Sequence, residues 1–526
     1  MDQRHDAPVR IVRRPVRCGA RRSGHAWGPA VRAEFLLGLT AACSVLVYEL
    51  AFVRPFGLLQ YWQRPLLDLQ KMSAFMPGAR WELLAGFVIE GALYFIGWQA
   101  ASRAHSRTAW VIVIAGALAM GMVLLFELPF DAADIFDNIV YGRILAVYGL
   151  NPFVQVGAQF PHDPFLPYMG WPATPTAYGP FLVVPAAVTA RLAGDGIIAN
   201  VIAFKLLCGA FLAGSTALVA SILRKVAPER ALAGALLLAW NPVVLFETLG
   251  HGHNDIVMVF WTLAAIRAML NRNYTMSILA LLGGALVKFI PVLFLPAAGL
   301  LALRDLPDNR GRVRFLAVTG VASIALLVAA YGPFWHGMAT LGIDRRETLL
   351  TTSLPAFIWA WLEQAGRFQL SGEVLGKVIS QAAAAATALF ALWEGQRAWH
   401  DRSSLSLARS ALHVTLFYLM ATCLWFQNWY ATWILGLVAL FPPGRELAWG
   451  EIVGFATLSK PLVFAPLLLW QVPFPSQVWR ELRLGPDVMA VPWLASAYAI
   501  YTSWRRGALS QSATGRTATV HESQEA

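Results

Sequence analysis

The chain has 526 residues, 57% of them hydrophobic and only 13% charged, with a mean hydropathy of +0.55. That balance excludes a water-soluble globule of this size, so the solvent is lipid. A formal charge of +11 would suit nucleic acid, but in a polytopic protein a basic excess records the retention of Lys and Arg on the cytoplasmic side, and nucleic-acid binding is set aside.

Eight of the first 32 residues are arginine. The apolar run that follows has no small-residue cleavage site behind it, so residues 1–33 read as a basic cytoplasmic segment ahead of an uncleaved first crossing at 34–53. Further apolar runs lie at roughly 82–101, 109–128, 197–222, 231–249, 255–271, 315–332, 374–393, 409–425, 430–442, 448–470 and 487–503. Each is expected to be helical, because lipid offers the backbone no other partner. Residues 178–192 are apolar too, but counting them as a crossing would put Arg224 and Lys225 outside, so a re-entrant or interfacial helix is expected there. Residues 275–303 are too long for one crossing and contain Pro291 and Pro296. They should dip across and return, with Lys288 near the outer turn. Cys18, Cys43, Cys208 and Cys423 are scattered and read as small apolar residues.

The expected fold class is therefore an all-α polytopic membrane protein of about 12–14 crossings, with interfacial helices in the first large outer loop, 129–196. Long loops fall outside and the inner ones are short and basic, which places both termini in the cytoplasm and the chain in the inner (plasma) membrane. The transferase domain would span 34–503, and the polar tail 504–526 is expected to be disordered and cytoplasmic. No internal repeat is evident, which disfavours the repeat-built transporter folds.

Three polar groups carry chemistry. In DAADIFDNIVYGRILAVYGLNPF, residues 131–153, a helix would place Asp134, Asn138 and Tyr141 on one face and Ile135, Phe136, Ile139 and Val140 on the other. Its apolar side would rest on the bilayer and its carboxylates would face an aqueous cavity. There Asp134 could take the proton of an attacking hydroxyl in glycosyl transfer. The alternative is that Asp131, Asp134 and Asp137 only cap and solubilise the helix. His251, His253, Asn254 and Asp255 form a second group, able to hydrogen-bond a phosphate or sugar hydroxyls. A divalent cation at His-x-His is an open alternative, as is a hydrated loop that caps the next helix. Lys288 lies inside an apolar hairpin, where an ammonium is costly unless it is paired or faces water. It could hold a phosphate with Arg143, Arg345 or Arg346, or it could snorkel to the interface. Lys205 and Lys460 read as structural. No phosphate loop, dinucleotide fingerprint, nucleophile elbow or zinc-protease motif is present.

DIFDNIVYGR, then GLNPF and TAYGPF, resembles the first outer loop of the GT-C type, polyprenyl-phosphate-dependent glycosyltransferases, especially the bacterial α-mannosyltransferases. WNPVVLFETLGHGHND, LVKFIPVLFLP and FQNWYATW are similar to further elements of that family, in the expected order. The chain departs from the pattern at Tyr141, where a second acid is expected, and at Phe153, where Tyr is usual; its region 54–101 lies outside the motifs that carry the resemblance.

The resemblance implies a GT-C-like bundle that moves a hexose, with mannose favoured, from a polyprenyl-phosphate donor to a glycan or lipid-linked acceptor, with inversion. It implies Asp134 as the catalytic base and Asp137, Arg143, Tyr178, His251, His253, Asn254, Asp255, Lys288 and Trp429 as substrate-binding residues. No cofactor is expected. Trp171, Trp425 and Trp433 read as part of an interfacial belt. A transporter or flippase for a sugar or lipid-linked saccharide is the alternative, and a non-catalytic membrane subunit is a second.

Overall fold

The computed structural model describes residues 29–65, 78–130, 132–342, 350–366, 371–459 and 490–502, together with Leu462 and Leu482. The expectations for the arginine-rich start, Asp131, Arg345, Arg346, Lys460 and the tail lie outside the described residues.

Apolar stretches that can satisfy their backbone only internally fold as helices. In chain order the helices of eight residues or more are α1 Pro29–Val47, α2 Ala79–Ala101, α3 Arg107–Leu124, α4 Asp134–Ala146, α5 Pro180–Ala193, α6 Ile197–Val226, α7 Ala231–Ala239, α8 Asp255–Leu270, α9 Tyr274–Ala285, α10 Leu295–Asp305, α11 Asn309–Tyr331, α12 Leu354–Gln364, α13 Gly372–His400, α14 Ser406–Phe417, α15 Ala431–Val438 and α16 Arg445–Ala456, and residues 490–502 are helical as well. Among the described residues no strand forms beyond isolated bridges such as Thr351 with Trp425. The protein is an all-α polytopic membrane protein.

Among the described residues six helices are long and apolar enough to cross a membrane, or seven if one bent pair is a single span. Several of the expected runs are broken, and those at 448–470 and 487–503 fall partly outside the described residues. The 231–249 run ends α7 at Trp240 and restarts at Pro242, with the halves bent by 46°. Asn241 makes that break stable, since its Oδ1 accepts from Val243 N–H at 3.0 Å and Val244 N–H at 3.3 Å. The Asn241 amide reaches Tyr94 of α2 and Glu451 of α16, each at 3.2 Å. The run near 409–425 passes from α14 into a π-helical turn, Tyr418–Thr422. Residues 275–303 fold as expected for an interrupted segment: α9, a break around Lys288, a 3-10 turn Ile290–Phe294 and α10.

One large apolar core joins these pieces. In it α1 packs on α2 and α3, α4 on α5, and α6 on α5, α7 and α8. Lys205 of α6 is fully buried and donates to the carbonyls of Leu124, Leu125 and Glu127 beyond the end of α3, at 3.2, 3.3 and 2.5 Å. An ammonium there satisfies carbonyls that a helix end leaves open, which is the structural role its sequence context suggests.

The structure corrects the setting of α4. Ile135, Phe136, Ile139 and Val140 do not rest on lipid; all four are buried in the protein core. Phe136 stacks on Tyr168 at 5.1 Å, and Met169 and Phe165 join the same cluster, so the loop after α4 folds back over the apolar face that the sequence left to the bilayer.

Candidate active site

Asp134 opens α4, with Asp137 one turn on, where the exposed N–H groups of a helix start favour negative charge. Both carboxylates line a cleft of about 780 Å³, its open mouth included, whose other walls are Tyr141, Trp171, Thr174–Tyr178, Gly342 and Trp425. Asp134 is partly exposed and Asp137 is 3% exposed. Asp137 Oδ1 accepts from the Trp171 N–H at 3.0 Å, while Oδ2 has no hydrogen-bond partner. Burial, and next the neighbouring Asp134 carboxylate, push the Asp137 pKa up to about 8. Two acids on one helix turn thus acquire different environments. Tyr141 fixes the facing loop by donating to the Thr174 carbonyl at 3.1 Å.

The second group, GHGHND, is the hub that joins the other motifs. Gly252 turns the chain at φ +69° against Ile135 of α4, a conformation and a closeness that a side chain would oppose. Three consecutive residues then point to three elements. His253 stacks on Trp429 at 4.0 Å and approaches Glu247, with Nε2 to Oε2 3.5 Å. Asn254 donates to Asn138 Oδ1 at 3.4 Å, and Asn138 donates to the Asp134 carbonyl at 2.7 Å; Asn254 also hydrogen-bonds Tyr178. Asp255 accepts from Lys288 Nζ at 2.7 Å and from the Trp433 indole.

The Tyr-Gly-Pro turn is sewn onto the break that carries Lys288. Gly179 N–H donates to Val287 O at 3.1 Å and Phe181 N–H to Leu286 O at 3.0 Å. A Cβ on Gly179 would overlap the Leu286 carbonyl, so only glycine lets the two backbones meet. Tyr178 is thereby set over Lys288, whose Nζ lies 5.3, 5.4 and 5.8 Å from the ring centres of Tyr178, Tyr430 and Trp433.

The structure thus brings together Asp134, Asp137, Tyr178, His253, Asn254, Asp255 and Lys288. It places three expected site residues elsewhere. Arg143 is buried away from the cleft and bound to Asp163 Oδ2 at 2.8 Å, Asp195 Oδ1 at 2.8 Å and Gly194 O at 3.0 Å. His251 is enclosed by Phe130 and Phe246, at 4.7 and 4.1 Å, with neither ring nitrogen hydrogen-bonded. Burial, reinforced by the Lys205 ammonium, holds its imidazole well below the ordinary histidine range. Trp429 is spent on His253 and does not line the cleft.

Among the described residues no three His, Cys, Asp or Glu side chains converge to hold a metal ion. The rings of His251 and His253 are 6.3 Å apart and have different neighbours. Lys288, whose charge faces Asp255, is not open to the cleft, so a phosphate would have to compete with that carboxylate.

Sequence reasoning missed three residues. Trp171 and Trp425, assigned to a belt, form the aromatic wall of the cleft, with ring centroids 5.5 Å apart. Glu247 is fully buried and accepts from Asn428 at 2.7 Å. A lone acid inside an apolar run is the signal that could have found it.

Residues 36–304, just over half of the chain, match the family described as Alpha-(1->6)-mannopyranosyltransferase, N-terminal domain. The match includes residues 54–101, which are therefore part of the family's own architecture. The chain is similar to Alpha-(1->6)-mannopyranosyltransferase A of Mycobacterium tuberculosis, 26% identical over 363 residues, which cover 65% of this chain and 67% of the relative. It is also similar to the protein of that name from Corynebacterium glutamicum, 24% identical over 221 residues, which cover 40% of this chain and 45% of the relative. The alignment thus spans less than half of the corynebacterial protein. With its helical architecture and its match across the cleft-bearing half, the chain belongs to the alpha-(1->6)-mannopyranosyltransferase family of GT-C type enzymes.

Proposed function

We propose that this chain transfers mannose from a polyprenyl-phosphate donor to a glycan or lipid-linked acceptor at the extracytoplasmic face of the inner membrane, with inversion. The observation that carries the proposal is the cleft on which Asp134 opens, walled by Tyr178, Trp171 and Trp425. A carboxylate at the mouth of an aromatic cleft has the reach to take the acceptor's proton as its oxygen attacks the anomeric carbon. The phosphate leaves on the opposite side, carrying its own negative charge, so the proposal calls on no cofactor.

A single displacement that forms the α-(1→6) bond named for the relatives requires a β-linked donor. Tyr178, which lines the cleft, is held by Asn254 and covers Lys288, itself paired with Asp255, while His253 stacks on Trp429. The charge on Lys288 becomes available to phosphate if Asp255 yields it, and the Arg143 and His251 positions serve the frame. A donor with a lipid tail reaches such a site from within the bilayer plane, which gives the membrane fold its purpose.

The test is reconstitution. Purified protein in proteoliposomes receives radiolabelled polyprenyl-phosphate mannose and an α-mannoside acceptor. A new alkali-stable α-(1→6) mannoside in the product supports the proposal. Recovery of intact donor on the far side of the membrane, with no new glycosidic bond, supports the transporter reading instead.

A further inference from the structure

The aromatic wall of the cleft has no part in the bond-making step just described. Trp171 and Trp425 come from distant segments and meet at an interplanar angle of 67°. Trp171 keeps 41% of its surface exposed. Both are fixed by their backbones. Trp171 N–H donates to Asp137 Oδ1. Trp425 sits in a segment pinned on both sides, since Thr351 N–H donates to Leu424 O at 3.0 Å and the Thr352 hydroxyl donates to Phe426 O at 3.1 Å. Indoles clamped in this way and left open to a cleft form a ready surface for a ligand.

The second observation is independent of the first. Asp137 lines the same cleft and is only 3% exposed, and its Oδ2, beside Gly170, has no hydrogen-bond partner among the described residues. A buried carboxyl oxygen without a partner is costly unless a ligand supplies one. A ligand that suits both features has C–H faces to lie on indole and hydroxyls to reach Asp137 within one small body. A pyranose has both. An aliphatic alcohol lacks the ring and further hydroxyls, and a peptide serine lacks the flat C–H face.

Geometry also separates acceptor from donor. In a single displacement the acceptor hydroxyl stands beside the base and the leaving phosphate lies beyond the anomeric carbon. Asp137 is one turn from Asp134 on α4, and Trp171 is tied to Asp137, so this wall belongs to the acceptor's side.

We propose that Trp171, Trp425 and Asp137 form the acceptor subsite, and that the acceptor is a carbohydrate whose end pyranose packs on the indole corner and hydrogen-bonds Asp137 Oδ2. The inference rests on the transferase reading. With its pKa lifted to about 8, Asp137 keeps its proton at neutral pH and donates it to a sugar hydroxyl oxygen.

The experiment uses the full chain in proteoliposomes, with polyprenyl-phosphate mannose and a synthetic α-(1→6)-mannobioside varied separately. Trp171→Ala, Trp425→Ala and Asp137→Ala should each raise the acceptor KM about tenfold, with donor KM within about twofold. Trp425→Phe, which keeps an aromatic face, and Asp137→Asn, which keeps a hydrogen-bond donor, should recover most of the loss and show that the fold is intact. A rise in donor KM instead, or no change in either constant, overturns the assignment. If the wild type transfers nothing, the transferase reading fails, and saturation-transfer NMR of mannobioside on the same detergent-solubilised proteins decides the subsite alone. Binding lost in Trp425→Ala but kept in Trp425→Phe supports it, and equal or absent binding across wild type and variants overturns it.

Discussion

Replacing Lys288 with methionine removes the charge and nearly preserves the length of the side chain. Asp255 is then left with the Trp433 indole as its remaining side-chain donor, while its Oδ2 already has no partner. The two side chains are 11% and 2% exposed, so little water reaches the orphaned carboxylate. Removing one partner of a buried ion pair costs about 3–5 kcal/mol, and the ammonium also leaves its three surrounding rings. Lys288→Met should therefore lower the denaturation midpoint in detergent and abolish transfer. The double variant Lys288→Met with Asp255→Asn removes the orphaned charge and should regain most of the stability. Transfer measured on that double variant then separates two roles. Recovery with stability means that Lys288 only holds Tyr178 and Asp255 in place, whereas stable but inactive protein means that the ammonium also meets the phosphate. A single variant as stable as wild type would refute the reasoning, because the pair would then contribute nothing.

Three further outcomes follow from the geometry. Gly179→Ala forces a methyl group onto the Leu286 carbonyl and should abolish transfer by lifting Tyr178 from its seat, measured as initial rate against expression-matched wild type. Asp137 binds its proton more tightly folded than unfolded, with a pKa of about 8 against 3.8, so it makes stability fall as pH rises between those values; Asp137→Asn should flatten that decline in pH-dependent unfolding and remove a break near pH 8 from the rate profile. Arg143→Ala strands Asp163, whose side chain is 1% exposed, and should cost about 3 kcal/mol in denaturant unfolding, with Arg143→Lys a poor rescue because one ammonium cannot span Asp163, Asp195 and the Gly194 carbonyl.

How much of this was legible in the sequence depends on the range of the interaction. The break around Lys288 is local, written in proline and in a charge placed within an apolar run, and it appears where expected; the break at Trp240–Pro242 is also written in a proline, but the 231–249 run reads as one continuous crossing until Asn241 is seen to cap the restart. The convergence of four motifs was announced by their order, and Asn254 was singled out as a ligand or helix cap, but its partners Asn138 and Tyr178, from other segments, were not legible. Tertiary partners were not legible. Arg143 looks like a ligand for phosphate in a Gly-Arg motif until Asp163 and Asp195, from later loops, are seen to occupy it. The apolar face of α4 looks like a membrane surface until Tyr168 covers it. The tryptophans were misassigned for the same reason: Trp425 and Trp429 are one helical turn apart in sequence, but only the structure shows that the first lines the cleft while the second packs on His253.

The central claim is that the Asp134 carboxylate takes the acceptor's proton. Its most direct test is the turnover number of Asp134→Asn with radiolabelled polyprenyl-phosphate mannose, measured on protein that still binds the donor. An amide keeps the shape and loses the basicity, so the account predicts a fall of about 10²-fold or more. Turnover within a few fold of wild type would contradict it.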